Sequence, residues 1–162
     1  MSENFFVENN LNDEEKYRSL LPQIESLLSE NDPNVSTLAN FTAALKQSFD
    51  KFSWVGFYLS ENNQLYLGPF QGKVACTNIK YGQGVCGTAA AERKTIIVPD
   101  VDKFPGHIFC DADSKSEIVV PLLTDGNLYG ILDVDSYLLN AFDQVDKHYL
   151  ELLCQILTKK LL

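Results

Sequence analysis

Three of the four cysteines lie in one stretch of the chain, residues 68–117, together with a glycine-rich turn. Cys76, Cys86 and Cys110 are ten and twenty-four residues apart. This spacing is too wide for a CxxC redox turn or for the paired ligands of a zinc knuckle, so only the tertiary fold can bring the thiols together. Each cysteine has small or turn-forming neighbours, which is typical of the loops and element ends where reactive groups lie.

Three carboxylates lie at the end of this stretch and beyond it, in a predicted β-hairpin with its turn at residues 125–126. Glu117 begins one strand, and Asp133 and Asp135 lie near the end of the other. Because residues two apart in a strand share a face, both aspartates project together if the apolar residues between them pack on the other side. Like charges this close raise one another's pKa, so one acid is expected to stay protonated near neutral pH and to act as a general acid. The alternative is that the aspartates decorate a solvated strand.

An acid cluster restricts the chemistry of a nearby thiol. Carboxylates raise a thiol's pKa and make it a poor free nucleophile. A cationic substrate would remove this penalty, so the pattern suits a ligand that has an ammonium group and needs a proton on an oxygen as the thiolate attacks. The alternative for any single cysteine is an inert, buried side chain. Cys154, on the apolar side of the last predicted helix, is interpreted in that way.

Other side chains could take part in the same site. His107 lies three residues before Cys110 and could be its base or a fourth zinc ligand. Trp54 and Tyr58 lie on a predicted strand and could form a wall for a small apolar group, although strand aromatics are more often core residues. The turn at residues 82–87 has neither a P-loop lysine nor Rossmann spacing, so nucleotide binding is not expected. No cofactor and no metal are expected.

The composition narrows the class of protein. A net charge of -9 and a pI near 4.6 argue against nucleic-acid binding, which depends on clustered Lys and Arg. The first residues have no basic and apolar leader, and no run of eighteen apolar residues occurs, so no membrane association and a cytoplasmic location are expected. At 162 residues the chain is predicted to form one domain, residues 1–162.

Apolar periodicity predicts helices at both ends of the chain and strands between them. The expected fold class is α+β, with a mostly antiparallel central sheet of about six strands, the N- and C-terminal helices on one face and a ligand pocket under loops on the other. The predicted helices are residues 13–30 with Asp13 as N-cap, a second helix to about residue 50, a short one at residues 88–92 and the last from residues 142–143, and the predicted strands are residues 52–59, 64–70, 74–79, 95–98, 117–124 and 128–135.

Several unbroken motifs resemble one known family over about residues 15–160. They are W-V-G-F-Y-L at residues 54–59, L-G-P-F-Q-G-K at 67–73, A-C-T at 75–77, G-V-C-G-T-A-A at 84–90, V-P-D-V at 98–101, F-P-G-H-I-F-C-D at 104–111, S-E-I-V-V-P at 116–121 and L-D-V-D-S at 132–136. Together they resemble the free methionine-(R)-sulfoxide reductases, which are stand-alone GAF domains. The resemblance implies a GAF fold, free L-methionine-(R)-sulfoxide as substrate, thioredoxin as reductant and often a homodimer.

The resemblance also implies roles for the cysteines. Cys110 resembles the catalytic cysteine, Cys76 the resolving one and Cys86 an additional recycling cysteine. The implied reaction begins when Cys110 attacks the sulfoxide sulfur, methionine leaves and a sulfenic acid remains. Cys76 then forms a disulfide with Cys110, which a dithiol partner reduces.

Roles for the pocket residues follow from the same resemblance. Glu117, Asp133 and Asp135 resemble the carboxylates that bind the substrate and protonate its oxygen, with Trp54 and Tyr58 near the methyl group. Two rival interpretations remain at this point. One is a GAF-type small-molecule or redox sensor without turnover, for which a linked output domain would be expected. The other is a zinc-binding structural module.

Overall fold

The computed structural model describes residues 4–161. Four α-helices, six β-strands and one short 3-10 helix are present in this part of the chain. In chain order they are α1 (Asp13–Leu27), α2 (Asn34–Ser48), β1 (Trp54–Glu61), β2 (Gln64–Gln71), β3 (Asn78–Lys80), α3 (Gly84–Glu92), β4 (Ile96–Val98), the 3-10 helix (Val101–Lys103), β5 (Ser116–Thr124), β6 (Asn127–Ser136) and α4 (Gln144–Thr158).

The strands form one antiparallel sheet in the order β3-β2-β1-β6-β5-β4. Two hairpins, β1–β2 and β5–β6, lie side by side and are joined where β1 pairs with β6. The β5–β6 turn uses Asp125 and Gly126, whose φ angles of 49° and 77° are both positive, as a two-residue turn of this kind requires. The hairpin that the sequence predicted is therefore confirmed.

The terminal helices α1, α2 and α4 cover one face of this sheet. Phe57 of β1, Ile118 of β5 and Leu132 of β6 are fully buried in one cluster with Phe41 of α2 and Leu150 of α4. Burying such a side chain contributes on the order of 2 kcal/mol relative to leaving it in water. The predicted α+β class, with about six strands and the helices of both ends on one face, is confirmed.

The opposite face is covered by α3 and by the Cys110 loop, which we define as residues 104–115. Tyr58, Val119 and Ile131 pack here in a second cluster with Ala89 and Ala90 of α3. The start of α3 lies very close to β3, because a Cβ atom at Gly87 would be 2.3 Å from the carbonyl oxygen of Lys80. Small residues in α3 therefore let the helix lie against the sheet.

The predicted element boundaries shift by a few residues. Asn12, not Asp13, caps α1, because its side chain accepts a hydrogen bond from the Glu15 N–H while the Glu15 carboxylate accepts one from the Asn12 N–H. α1 then ends at Leu27, and α2 ends at Ser48. β1 begins two residues later than predicted, and α3 begins four residues earlier, at a glycine that the sequence suggested was part of a turn. None of the described helices is both long and apolar enough to cross a bilayer.

Candidate active site

A cavity lies between the α3 face of the sheet and the Cys110 loop. Its empty space is about 550 Å³, a figure that includes open solvent at its mouth. Every residue that the sequence predicted for the site except Cys76 contributes to its wall: Trp54, Tyr58, Cys86, Cys110, Glu117, Asp133 and Asp135. The sheet and loop thus bring together groups that are far apart in sequence.

The carboxylates lie where β5 and β6 pair. Glu117 is opposite Asp135 in the strand register, and Asp133 lies two residues earlier on the same face of β6. Leu132 and Val134 are buried on the other side, in the helical core, which is the cluster between the sheet and the terminal helices. Glu117 and Asp133 are only 5% and 6% exposed, so the alternative of a solvated strand is wrong for this part of β6.

Burial raises the pKa of all three carboxyl groups, because it destabilises their charged forms. The pKa of Glu117 rises to about 8, and the charge of Asp135 adds to the effect of burial. Burial and Glu117 raise the pKa of Asp133 well above its usual value. Burial and Asp133 do the same to the pKa of Asp135, although Ser114 donates a hydrogen bond to its Oδ1 at 3.1 Å. The groups titrate together, so at neutral pH the cluster has fewer than three negative charges.

Replacing Glu117 by Gln is expected to reduce the pH dependence of stability. The pKa of Glu117 is higher in the folded than in the unfolded chain, so its contribution is fully present below about pH 4.5 and is lost as pH rises to about 8. One such group changes the free energy of unfolding by at most about 1.4 kcal/mol per pH unit. Urea unfolding at pH 5 and pH 8.5 should therefore show Glu117→Gln gaining stability relative to wild type at the higher pH. The exposed Glu25→Gln is the control, and parallel pH curves for Glu117→Gln and wild type would contradict the prediction.

Cys86 lies at the start of α3 and faces the carboxylates. Its thiol donates to Glu117 Oε1, with 3.6 Å between sulfur and oxygen. Burial, with the charges of Asp133 and Glu117, raises the pKa of the Cys86 thiol well above its usual value. Such a thiol is neutral at physiological pH and a poor nucleophile. The recycling role expected for Cys86 remains a prediction.

Cys76 and Cys110 form a disulfide bond, with 5.5 Å between their Cα atoms. Both residues are partly exposed, whereas Cys86 and Cys154 are free and buried. Cys154 lies in the helical core, where burial raises the pKa of its thiol, as expected of an inert cysteine. The disulfide uses two of the thiols that a zinc site built on Cys76, Cys86, Cys110 and His107 would need.

A different set of ligand atoms could approach one cation. Within the described residues, one ligand atom each from Cys86, Glu117 and Asp133 lie within 4.8 Å of one another. A metal ion needs the deprotonated forms of such ligands. Burial opposes that state here, since it raises the pKa of all three groups. The same arrangement is better suited to an organic ammonium group, which can donate hydrogen bonds to carboxyl oxygens.

The segment that contains Cys76 is a loop, so the predicted strand at residues 74–79 is wrong for most of its length; only its last two residues belong to β3. The loop backbone instead accepts hydrogen bonds from side chains of β1. Trp54 Nε1–H donates to the carbonyl oxygen of Lys73 at 3.0 Å, and the Tyr58 hydroxyl donates to that of Cys76 at 3.1 Å. These aromatic donors replace part of a strand ladder, which the alternation of residue types in the sequence does not reveal.

Trp54 and Tyr58 form an aromatic wall of the cavity. Their ring centroids are 6.0 Å apart, and Phe70 stacks on Trp54 at 5.3 Å. Gly56 between them is required for this arrangement, because a Cβ atom there would lie 2.3 Å from Trp54 Cη2. Because their polar ends donate hydrogen bonds to the backbone of Lys73 and Cys76, the rings offer apolar surface to a ligand.

His107 contacts the carboxylate cluster, a partner that the sequence analysis missed. Its Nε2 lies 3.4 Å from Glu117 Oε2, and burial lowers its pKa. Its spacing from Cys110 suggested instead a contact with the thiol or with zinc. Two buried atoms of the site, His107 Nδ1 and Asp133 Oδ1, have no hydrogen-bond partner among the described residues. An unpaired buried polar atom costs about 1–3 kcal/mol, so these atoms mark positions that a polar ligand would satisfy.

Known proteins resemble this chain over most of its length. The GAF domain family matches residues 35–160. GAF domain-containing protein A of Dictyostelium discoideum is 57% identical over 145 residues, which cover 89% of this chain and 91% of that protein. The free methionine-R-sulfoxide reductase of Saccharomyces cerevisiae is 46% identical over 158 residues, covering 93% of this chain and 88% of that protein.

A solved structure agrees with these relatives. The X-ray structure of free methionine-R-sulfoxide reductase from Neisseria meningitidis in complex with its substrate superposes on this chain with a TM-score of 0.89 at 46% identity, covering 96% of this chain and 95% of that one. The family match over residues 35–160 includes all six strands, α3 and the loops that form the cavity. The chain therefore belongs to the GAF domain family and, within it, to the free methionine-R-sulfoxide reductases.

Proposed function

We propose that this protein reduces free L-methionine-(R)-sulfoxide to L-methionine by cysteine chemistry. The observation that supports it best is the combination, around one cavity, of the Cys76–Cys110 disulfide with three carboxyl groups of raised pKa. A disulfide of this kind is the product that a reductase of this class leaves after one turnover. The raised pKa values describe acids that can still deliver a proton near neutral pH.

Substrate binding relies on charge and shape. The ammonium group of the free amino acid interacts with Asp133 and Asp135, and it provides the hydrogen-bond donors that Asp133 Oδ1 lacks. The methyl group on the sulfoxide sulfur packs against Trp54 and Tyr58. Binding of the cation favours ionised aspartates, while Glu117 keeps the proton needed for the reaction.

The reaction then has two steps on the enzyme. The Cys110 thiolate attacks the sulfoxide sulfur while Glu117 protonates the oxygen, so that an S–S bond forms, the S–O bond of the substrate breaks and its oxygen leaves as hydroxide. Addition of this hydroxide to the Cys110 sulfur breaks the S–S bond, methionine leaves, and Cys110 is oxidised to the sulfenic acid. The Cys76 thiol attacks this sulfenic sulfur, a disulfide forms and water leaves. Each cycle therefore consumes two electrons, which an external dithiol must supply.

The remaining partners are proposed on the same basis. Thioredoxin, a dithiol protein, reduces the Cys76–Cys110 disulfide by exchange, and Cys86 assists this recycling. The enzyme acts as a homodimer of single GAF-like domains spanning residues 1–162. Its place is the cytoplasm, where dithiol reductants are maintained.

Only the free amino acid of R configuration at sulfur is expected to be a good substrate. N-acetylation removes the ammonium charge that the aspartates bind, and loss of a charge-assisted hydrogen bond lowers kcat/KM by about ten- to hundredfold. The assay incubates reduced enzyme with dithiothreitol and racemic free or N-acetylated sulfoxide, and it measures methionine formed and the chirality of the remaining sulfoxide. Equal rates on both compounds would disprove the proposed binding mode. Substrate binding without any methionine formation would instead support a sensor, and metal retained by the reduced protein would support a zinc module.

A further inference from the structure

Lys73 links the two loops that carry the disulfide. It belongs to the Cys76 loop, which we define as residues 72–77. Its Nζ lies 2.9 Å from Asp113 Oδ2 and 3.5 Å from Asp111 Oδ1, and both aspartates belong to the Cys110 loop. One ammonium group thus joins the segments on either side of the Cys76–Cys110 bond.

Asp111 is held in place to receive this contact. It accepts hydrogen bonds from the Tyr137 hydroxyl and from the Asp113 N–H, each at 3.0 Å. Although burial opposes its ionisation, the bonds from Asp113, Tyr137 and Lys73 hold the pKa of Asp111 below its usual value. The Lys73 ammonium also lies over the Tyr137 ring, 5.2 Å from its centroid. The Cys110 side therefore presents a preformed anionic site beside an aromatic face.

The backbone of Lys73 is held in place by a contact with β1. Its carbonyl oxygen accepts the hydrogen bond from Trp54 on β1. Gly72 before it has a φ of +134°, and a Cβ atom there would lie 2.5 Å from Trp54 Cδ1. The loop consequently lies directly over the indole, and the Lys73 side chain projects from a defined point towards the Cys110 loop.

We propose that Lys73 is a positioning residue for disulfide formation, which it promotes by holding the Cys76 loop against the Cys110 loop; this rests on the proposed function. The step is attack of the Cys76 thiol on the Cys110 sulfenic acid. An S–S bond forms, the S–O bond of the sulfenic acid breaks, and the hydroxyl group leaves as water with the thiol proton. The Cys110 sulfur is reduced and the Cys76 sulfur is oxidised, so no other reactant is needed.

The Lys73 side chain lies apart from the groups that carry out the first step, the attack on the sulfoxide. Its side chain is about half exposed, and it does not line the cavity that contains the carboxylates. Substitution of the side chain keeps the backbone carbonyl that Trp54 binds. We therefore expect the first release of methionine to be insensitive to Lys73, while the rate of disulfide formation depends on it.

The test compares Lys73→Met with Lys103→Met. Lys103 is 84% exposed and pairs with Asp100 three residues away, so its loss removes a positive charge near the Cys110 loop without removing a contact between the loops. Reduced proteins are treated with hydrogen peroxide, which oxidises Cys110 without methionine sulfoxide, and then quenched with an alkylating reagent. Mass spectrometry follows the Cys76–Cys110 disulfide over time. Since each exposed ion pair contributes little, the expected slowing in Lys73→Met is about three- to tenfold, with Lys103→Met like wild type.

Two further measurements complete the test. Lys73→Arg should regain most of the rate, and high salt should slow disulfide formation in wild type but not in Lys73→Met. A single-turnover assay should give the same methionine yield and rate in Lys73→Met as in wild type. An unchanged disulfide rate, or equal slowing in both lysine variants, would overturn the proposal. If the wild type makes no methionine from the sulfoxide, but peroxide-treated Lys73→Met still forms the Cys76–Cys110 disulfide more slowly than wild type, the proposed function alone would be refuted.

Discussion

The Cys110→Ser variant is expected to release no methionine even when enzyme exceeds substrate, whereas Cys76→Ser is expected to release close to one equivalent and then stop with thioredoxin. The first substitution removes the nucleophile that attacks the sulfoxide. The second leaves the attack intact but removes the thiol that resolves the sulfenic acid. Rapid quenching of reduced enzyme mixed with limiting free methionine sulfoxide, followed by quantification of methionine, measures both.

The other cysteines supply the controls. Cys154→Ala removes a thiol from the helical core, away from the cavity, and should keep full single-turnover activity. Substrate-treated wild type should contain the Cys76–Cys110 disulfide. In Cys76→Ser, a new Cys86–Cys110 disulfide would show that Cys86 can replace the resolving thiol. If Cys76→Ser released no methionine while Cys110→Ser did, the two roles would be reversed.

Much of the fold is predictable because local patterns determine it. The Asp125-Gly126 turn, the apolar stripe of α4 and the alternation along β6 each depend on neighbouring residues alone. The alternation on β6 also predicts that Asp133 and Asp135 lie together, since the strand period fixes which residues share a face. The sequence does not predict how strongly these two carboxyl groups are desolvated, and burial has the largest effect on their pKa values.

The rest of the site depends on contacts between segments that are distant in sequence. The sequence predicts a strand at residues 74–79 because the residue types there permit one. In the structure, Trp54 and Tyr58 of β1 instead donate side-chain hydrogen bonds to the backbone of the Cys76 loop. Contacts between loops also cannot be predicted from the local sequence pattern. The approach of His107 to Glu117 and that of Lys73 to Asp113 arise only once the Cys110 loop folds over the sheet.

The ionisation of the Cys86 thiol and that of the carboxyl groups depend on one another, because these groups lie close together in the same cavity wall. An ionised Glu117 beside Cys86 opposes a thiolate, and a thiolate would oppose ionisation of Glu117. Burial therefore favours the protonated forms of these groups in the absence of a cation. A substrate ammonium that interacts with the aspartates would lower their pKa values and release protons, while Glu117 on the neighbouring strand remains available as an acid.

Replacing Glu117 by Gln is expected to lower kcat far more than it raises KM. The amide keeps the shape of the acid but removes a proton that is needed only when the S–O bond breaks, and general acid catalysis contributes about 10²–10⁴-fold in rate. Asp133→Asn and Asp135→Asn should mainly raise KM, at a cost of about 1.5–3 kcal/mol for a charge-assisted hydrogen bond to the ammonium. Steady-state kinetics of the three amide variants with free methionine sulfoxide distinguish the two kinds of effect.

The pH profile provides a second, independent test of Glu117 as the proton donor. An acid must be protonated to act, so wild-type kcat/KM should fall as pH rises through about 8, the pKa of Glu117 in the free enzyme. The bound ammonium favours the ionised carboxylate, and the corresponding fall in kcat should therefore occur at a lower pH than the fall in kcat/KM. In Glu117→Gln this alkaline limb should be absent. Should an alkaline limb at the same pH persist in that variant, the proton would come from Asp133 or Asp135. If all three amide variants kept the kcat and KM of the wild type, the carboxylates would have no part in the reaction.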